Sequence, residues 1–107
     1  MTLAGTWDVT IKTPIGTLAV AYTFTESDGN LAGTATLKDE TVPLRALTVA
    51  EHDGAQRVTW QQTVTRPLRL NLDFDVVVTG DRLAGHSRAG RLPRSAVSGL
   101  RRQGRIS

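Results

Sequence analysis

The chain has no cysteine. A disulfide framework and a thiolate metal site are therefore both excluded, and stability has to come from packing. Aromatic residues are scarce, at 5% of 107 residues. None interleaves with a basic run, so stacking on single-stranded nucleic acid has little support. No apolar run approaches the ~18 residues of a membrane-spanning helix. The opening MTLAGTWDVT lacks a basic segment followed by an apolar one, so no secretory signal is expected. The expected compartment is the cytoplasm, and no membrane partner is expected. Acid is missing from the last quarter. Residues 82–107 hold seven Arg and no Asp or Glu (net +7), whereas residues 1–81 hold six Lys or Arg and all ten acids (net −4). A basic end of this kind suits an anionic partner or simply a solvated surface.

What the chain does have is alternation. Apolar residues make up 39%, enough for one core, so a single domain is expected over residues 1–103, with a flexible basic tail at 104–107. Thr, Val and Leu alternate with polar residues between short turn clusters, which predicts an all-β protein. Eight strands are predicted, at 4–13, 16–25, 31–38, 41–50, 56–65, 68–79, 82–90 and 94–102. All connections are short, so each strand pairs antiparallel with the next. An eight-stranded meander closes best as an up-and-down barrel, which removes both sheet edges.

The period of two assigns the faces. Leu3, Trp7, Val9 and Ile11 point inward from the first strand, and Leu18, Val20, Tyr22 and Phe24 from the second. Val58, Trp60, Gln62 and Val64 do so from the fifth, and Leu68, Leu70, Leu72, Phe74, Val76 and Val78 from the sixth. The fourth strand breaks phase between Ala46 and Leu47, which predicts a β-bulge near Ala46. A Leu-Ala-Gly echo opens three strands that run in one direction, at Leu3-Ala4-Gly5, Leu31-Ala32-Gly33 and Leu83-Ala84-Gly85. Glycine there permits bending and close backbone approach at one end of the barrel.

The meander also sorts residues by end. Tight turns at Asp28-Gly29, Asp53-Gly54 and Gly80-Asp81 gather at one end, with most of the acids and large inward side chains that would plug it. The other end gathers Lys12, Lys38, Arg45, Arg66, Arg69, Arg88, Arg91 and Arg94 around modest inward residues. A small barrel is either filled by its own side chains or just wide enough for one small ligand. If a ligand enters, Tyr22, Trp60 and Phe74 supply aromatic walls, Leu18, Leu44 and Leu70 an apolar lining, Gln62 a hydrogen-bonding handle and Arg69 a cation at the rim. Gln62 and the Tyr22 hydroxyl either satisfy each other or wait for a ligand or a water. His86 is expected to point outward; only a reversal of phase would bring it into the lumen as a general base. No histidine pair has ligand spacing, so neither a metal nor another cofactor is expected.

Gly5-Thr6-Trp7 on the first strand, with Arg101-Arg102 leaving the last, resembles the signature of calycin (lipocalin-like) barrels. Over about residues 3–102 the chain is similar to small bacterial lipocalin-like domains. The matching motifs are Pro14-Ile15-Gly16, Leu31-Ala32-Gly33-Thr34, Val58-Thr59-Trp60, Gly80-Asp81-Arg82-Leu83-Ala84-Gly85 and Gly99-Leu100-Arg101. The resemblance implies a basic side chain lying over the Trp7 indole at the barrel floor and a small apolar ligand in the lumen. Long loops are absent, which argues against a deep, lidded cavity. Three functions follow as expectations. The first is a module binding an apolar small molecule, with or without an anionic group. The second is a cofactor-independent cyclase or isomerase acting on a polyketide-like or other apolar substrate, with no catalytic residue assigned. The third is a basic interaction domain using Arg88, Arg91, Arg94, Arg101 and Arg102, although nucleic acid is the least expected partner. Outward Ala19, Ala21, Val49 and Val77 offer a face for a homodimer.

Overall fold

The computed structural model describes residues 3–13, 16–37, 40–64 and 70–102, apart from the side chains of Ser27, His52, Val64 and Leu70. The Pro14-Ile15 and Lys38-Asp39 connections, the segment 65–69 with Arg66, Leu68 and Arg69, and the tail 103–107 lie outside the described residues.

Among the described residues nine strands form one antiparallel sheet: β1 (Gly5–Thr13), β2 (Gly16–Ser27), β3 (Asn30–Leu37), β4 (Glu40–Pro43), β5 (Arg45–His52), β6 (Ala55–Val64), β7 (Leu70–Thr79), β8 (Arg82–Arg88) and β9 (Ser95–Arg101). Their order is β4-β3-β2-β1-β9-β8-β7-β6-β5. The barrel is up-and-down, but it has nine strands where eight are predicted. The extra one arises because the predicted fourth strand is broken into β4 and β5.

The break brings the two ends of the sheet together, so that the barrel is nearly closed. β4 pairs only with β3, and β5 pairs only with β6. These two short strands are the two ends of the sheet, joined through Leu44, whose backbone N–H still donates to the Gly33 carbonyl at 2.9 Å. The register then shifts between Arg45 and Thr48, with Ala46 at φ +53°. This is the bulge that the phase break predicts; it lies within β5, after the chain has already changed partner from β3 to β6 at Leu44.

The hairpins follow from their turn residues. Asp28-Gly29 and Asp53-Gly54 both have positive φ at each central position, as a two-residue turn matching strand twist requires. The alternation then fills the interior with Leu3, Trp7, Val9, Ile11, Val20, Tyr22, Phe24, Val58, Trp60, Leu72, Phe74, Val76, Val78, Leu83 and Val97. All five aromatic residues are buried. His86 is exposed on the outer wall opposite Asp75, so the lumen-facing alternative is excluded.

The Leu-Ala-Gly echo has a packing reason. Gly5 and Gly33 flank Phe24 on its two neighbouring strands. A Cβ on Gly33 would stand 2.8 Å from Leu44 Cδ1 and 3.0 Å from Phe24 Cδ1, and one on Gly85 would meet the Asp75 carbonyl oxygen at 2.2 Å. The glycines make room where large inward groups or a neighbouring backbone approach.

Candidate functional site

The two ends of the barrel differ. At the floor, defined by the turns at 28–29, 53–54 and 80–81, alternation along β9 from Ser95 through Val97 and Gly99 turns Arg101 inward. Its guanidinium carbon lies 4.6 Å from the Trp7 ring centroid. Arg101 Nε donates to Asp81 Oδ1 at 2.7 Å and Nη1 to the Ala4 carbonyl at 2.5 Å. The Trp7 indole N–H donates to the Leu3 carbonyl at 3.0 Å. Arg101 thus ties the first strand, the last strand and the β7–β8 turn together beneath an aromatic plug. Its neighbour Arg102 points out and grips Asp8 through Nη2 at 2.6 Å. That hydrogen bond holds the Asp8 carboxyl below the usual range. Arg101→Met is therefore expected to remove about 2 kcal/mol of stability, from a partly buried charged hydrogen bond and a cation–π contact. Arg102→Met is expected to leave the urea midpoint unchanged. Equal losses in the two variants would show that the floor is not held in this way.

Of the five arginines proposed for an anionic partner, Arg101 and Arg102 are occupied inside the protein. The axial charge separation is also softer than the connectivity predicts. Asp75 is taken by Arg57 in a two-pronged pair, Nε to Oδ1 at 3.0 Å and Nη2 to Oδ2 at 2.6 Å. Asp73 sits opposite Arg88, in the mouth half of the barrel.

Deeper in the lumen, Tyr22, Phe24, Trp60 and Phe74 form one aromatic cluster. Trp60 stacks on Phe74 with centroids 4.9 Å apart, and Tyr22 tilts against Trp60 at 5.2 Å. Gln62 stands above it, only 2% exposed. The Tyr22 hydroxyl donates to Gln62 Oε1 at 2.7 Å and the Trp60 indole N–H donates to the same oxygen at 3.0 Å. An indole N–H can only donate, so the geometry places the amide oxygen, not the nitrogen, toward the aromatics. Burial pushes the Tyr22 phenol far above its ordinary range. Tyr22 is therefore a donor and not a base at any physiological pH. The Gln62 oxygen is satisfied twice over, while its amide nitrogen has no acceptor among the described residues.

Gln62 also lines a cavity of about 20 Å³ on the mouth side, walled by Ile11, Leu18, Val20, Ala35, Leu37, Glu40, Val42 and Thr63. That volume suits one water. The cavity lies on the β4 side of the seam, between β4 and the end of β6. Tyr22, Trp60, Gln62 and Phe74 thus come together as the sequence predicts, and Leu18 is a cavity wall. Leu44 instead packs at the seam beside Gly33 and Phe24. The Leu70 side chain and Arg69 lie outside the described residues. Leu37 and Val42 are inward positions by alternation along their strands but are not among the predicted ligand residues, and Glu40 is a wall that no alternation signal points to. Larger hollows of about 600 and 450 Å³ are open. One lies on the outer wall beside Leu100, and the other at the floor between β3 and β5.

Among the described residues no group of three or more His, Asp or Glu is placed to hold a metal, and no helix is long and apolar enough to cross a membrane. Comparison with family models, curated proteins and solved structures finds no match to this chain.

Proposed function

We propose that this barrel binds a small, largely apolar molecule whose hydrogen-bond acceptor meets the amide nitrogen of Gln62. The observation that carries the reading is a buried donor, without an acceptor among the described residues, on the wall of a largely apolar cavity. Leaving such a donor unpaired costs about 1–3 kcal/mol, which a ligand carbonyl, ether or carboxylate would recover. The native cavity accepts one water. A larger guest has to displace the half-buried Leu18 and Leu37 at the mouth. The likeness of Gly5-Thr6-Trp7 and Arg101 to the calycin floor, and of the whole motif order to small bacterial lipocalin-like domains, supports an apolar ligand in the same place. The alternative, a cofactor-independent cyclase or isomerase, would use the same pocket, with Glu40 as the one carboxylate on its wall.

The test uses the fluorescent apolar anion anilinonaphthalenesulfonate, with native mass spectrometry of the freshly purified protein to detect any molecule already bound. Probe binding is expected to quench Trp60. Gln62→Leu, which removes the donor, and Leu18→Trp, which fills the mouth, are each expected to weaken it about tenfold, in line with the loss of one well-made buried hydrogen bond. Binding that both variants leave untouched would place the probe elsewhere and end the reading. Turnover of an apolar substrate that persists after dialysis against a chelator would select the enzyme.

A further inference from the structure

The β8–β9 connection, residues 89–94, lies at the mouth end. Leu92 sits in it with half its surface exposed (53%), between Arg91 and Arg94, both exposed. Arg88, at the end of β8, is exposed too. The register Ser87↔Ser95 sets Arg88 beside Arg94, and Lys12↔Ala96 brings Lys12 alongside. None of these four cations has a hydrogen-bond or ion-pair partner among the described residues. Asp73 faces Arg88 in register without an ion pair forming between them, and Asp75 is committed to Arg57. Like charges placed side by side on adjacent strands repel, so the arrangement is unfavourable in the isolated protein and favourable against a negative surface.

We infer that the mouth of the barrel docks on an anionic lipid surface, with Leu92 dipping into the headgroup boundary and Lys12, Arg88, Arg91 and Arg94 facing the lipid phosphates. The apolar tip distinguishes a bilayer from nucleic acid. A duplex offers phosphates but nothing for an exposed leucine, and a single strand would want aromatic platforms, all of which are buried here. Such docking is peripheral, with no segment crossing the bilayer, and it does not depend on what the lumen holds.

The experiment is cosedimentation of the full chain with vesicles of phosphatidylcholine, with or without about one-third phosphatidylglycerol, at low and high salt. Binding is expected only to the anionic vesicles, and to weaken with salt. Arg91→Ser with Arg94→Ser is expected to reduce partitioning roughly twentyfold, near the worth of two surface cations. Leu92→Ser is expected to reduce it about fivefold, an effect that persists at high salt because it is not electrostatic. Thermal melts check that these loop variants remain folded. Free glycerophosphate at millimolar concentration is expected not to compete. The inference is overturned by absence of binding to anionic vesicles, by equal binding to neutral ones, by competition from free glycerophosphate, or by binding to duplex DNA and vesicles alike with no effect of Leu92→Ser.

Discussion

Trp60→Ala is expected to lower the thermal midpoint by about 15 °C or more, or to prevent folding altogether. The side chain is 1% exposed and is the hub of the aromatic cluster. It stacks on Phe74, meets Phe24 edge-on at 5.8 Å and tilts against Tyr22. Truncating a buried tryptophan removes about 3–5 kcal/mol through lost transfer energy and the cavity left behind. In a chain this short each kilocalorie moves the midpoint by about 4–8 °C, and total stability is about 5–15 kcal/mol. The same change leaves Gln62 Oε1 with Tyr22 as its one remaining donor. Trp60→Phe separates the two contributions. It keeps most of the ring packing and removes the N–H, so a loss of about 1–2 kcal/mol is expected. Calorimetry decides: a midpoint within 5 °C of the parent for Trp60→Ala would mean that the lumen can collapse, and that the cluster is not the keystone of the core.

Gly85→Ala is expected to be nearly as damaging, for a different reason. Gly85 is an inward position on β8, paired with Val76 and Val97. An added Cβ would meet the Asp75 carbonyl oxygen at 2.2 Å and Val76 Cα at 2.5 Å. Both are backbone atoms, so no side-chain rotation relieves the clash, and β8 has to part from β7. Overpacking of a core commonly costs 1–3 kcal/mol when side chains can shift; here the strands themselves must move, so about 3 kcal/mol or more is expected. Gly99→Ala, whose Cβ would stand 2.8 Å from the Asp8 carbonyl oxygen, is expected to cost less. Ala84→Ser on the exposed face is expected to change little. Urea denaturation of the three variants gives the ranking, and a Gly85→Ala loss below about 1 kcal/mol would show that the β7–β8 approach is loose.

The strands, their faces and the bulge were readable along the chain because pleating makes alternate residues face opposite sides, whatever lies across the sheet. Leu72, Phe74, Val76 and Val78 point inward for that reason alone. The jump in phase from Ala46 to Leu47 could be read in the same way. The change of partner beside it could not: at Leu44, just before the bulge, one predicted strand divides into β4 and β5 and passes from β3 to β6, which depends on which edges remain unpaired after all the others have zipped. Gln62 also stood out as a polar residue on an apolar stripe, and the resemblance of Gly5-Thr6-Trp7 and Arg101-Arg102 to the calycin signature pointed to a basic side chain over Trp7 without choosing between the two arginines.

The use made of these residues belongs to convergence in space. Tyr22 and Gln62 are separated by 40 positions in the chain, yet share one hydrogen bond. That bond, with the donor-only indole of Trp60, determines which end of the Gln62 amide is spent and which is left facing the cavity. The division between Arg101 and Arg102, adjacent in sequence, follows from Trp7 and Asp8 facing opposite sides of a strand more than ninety residues away. The small lumen volume and the unpaired cations around Leu92 likewise depend on distances between strands. Composition reports that charges and bulky rings exist; only the folded sheet determines which of them find partners, and so which remain available for anything else.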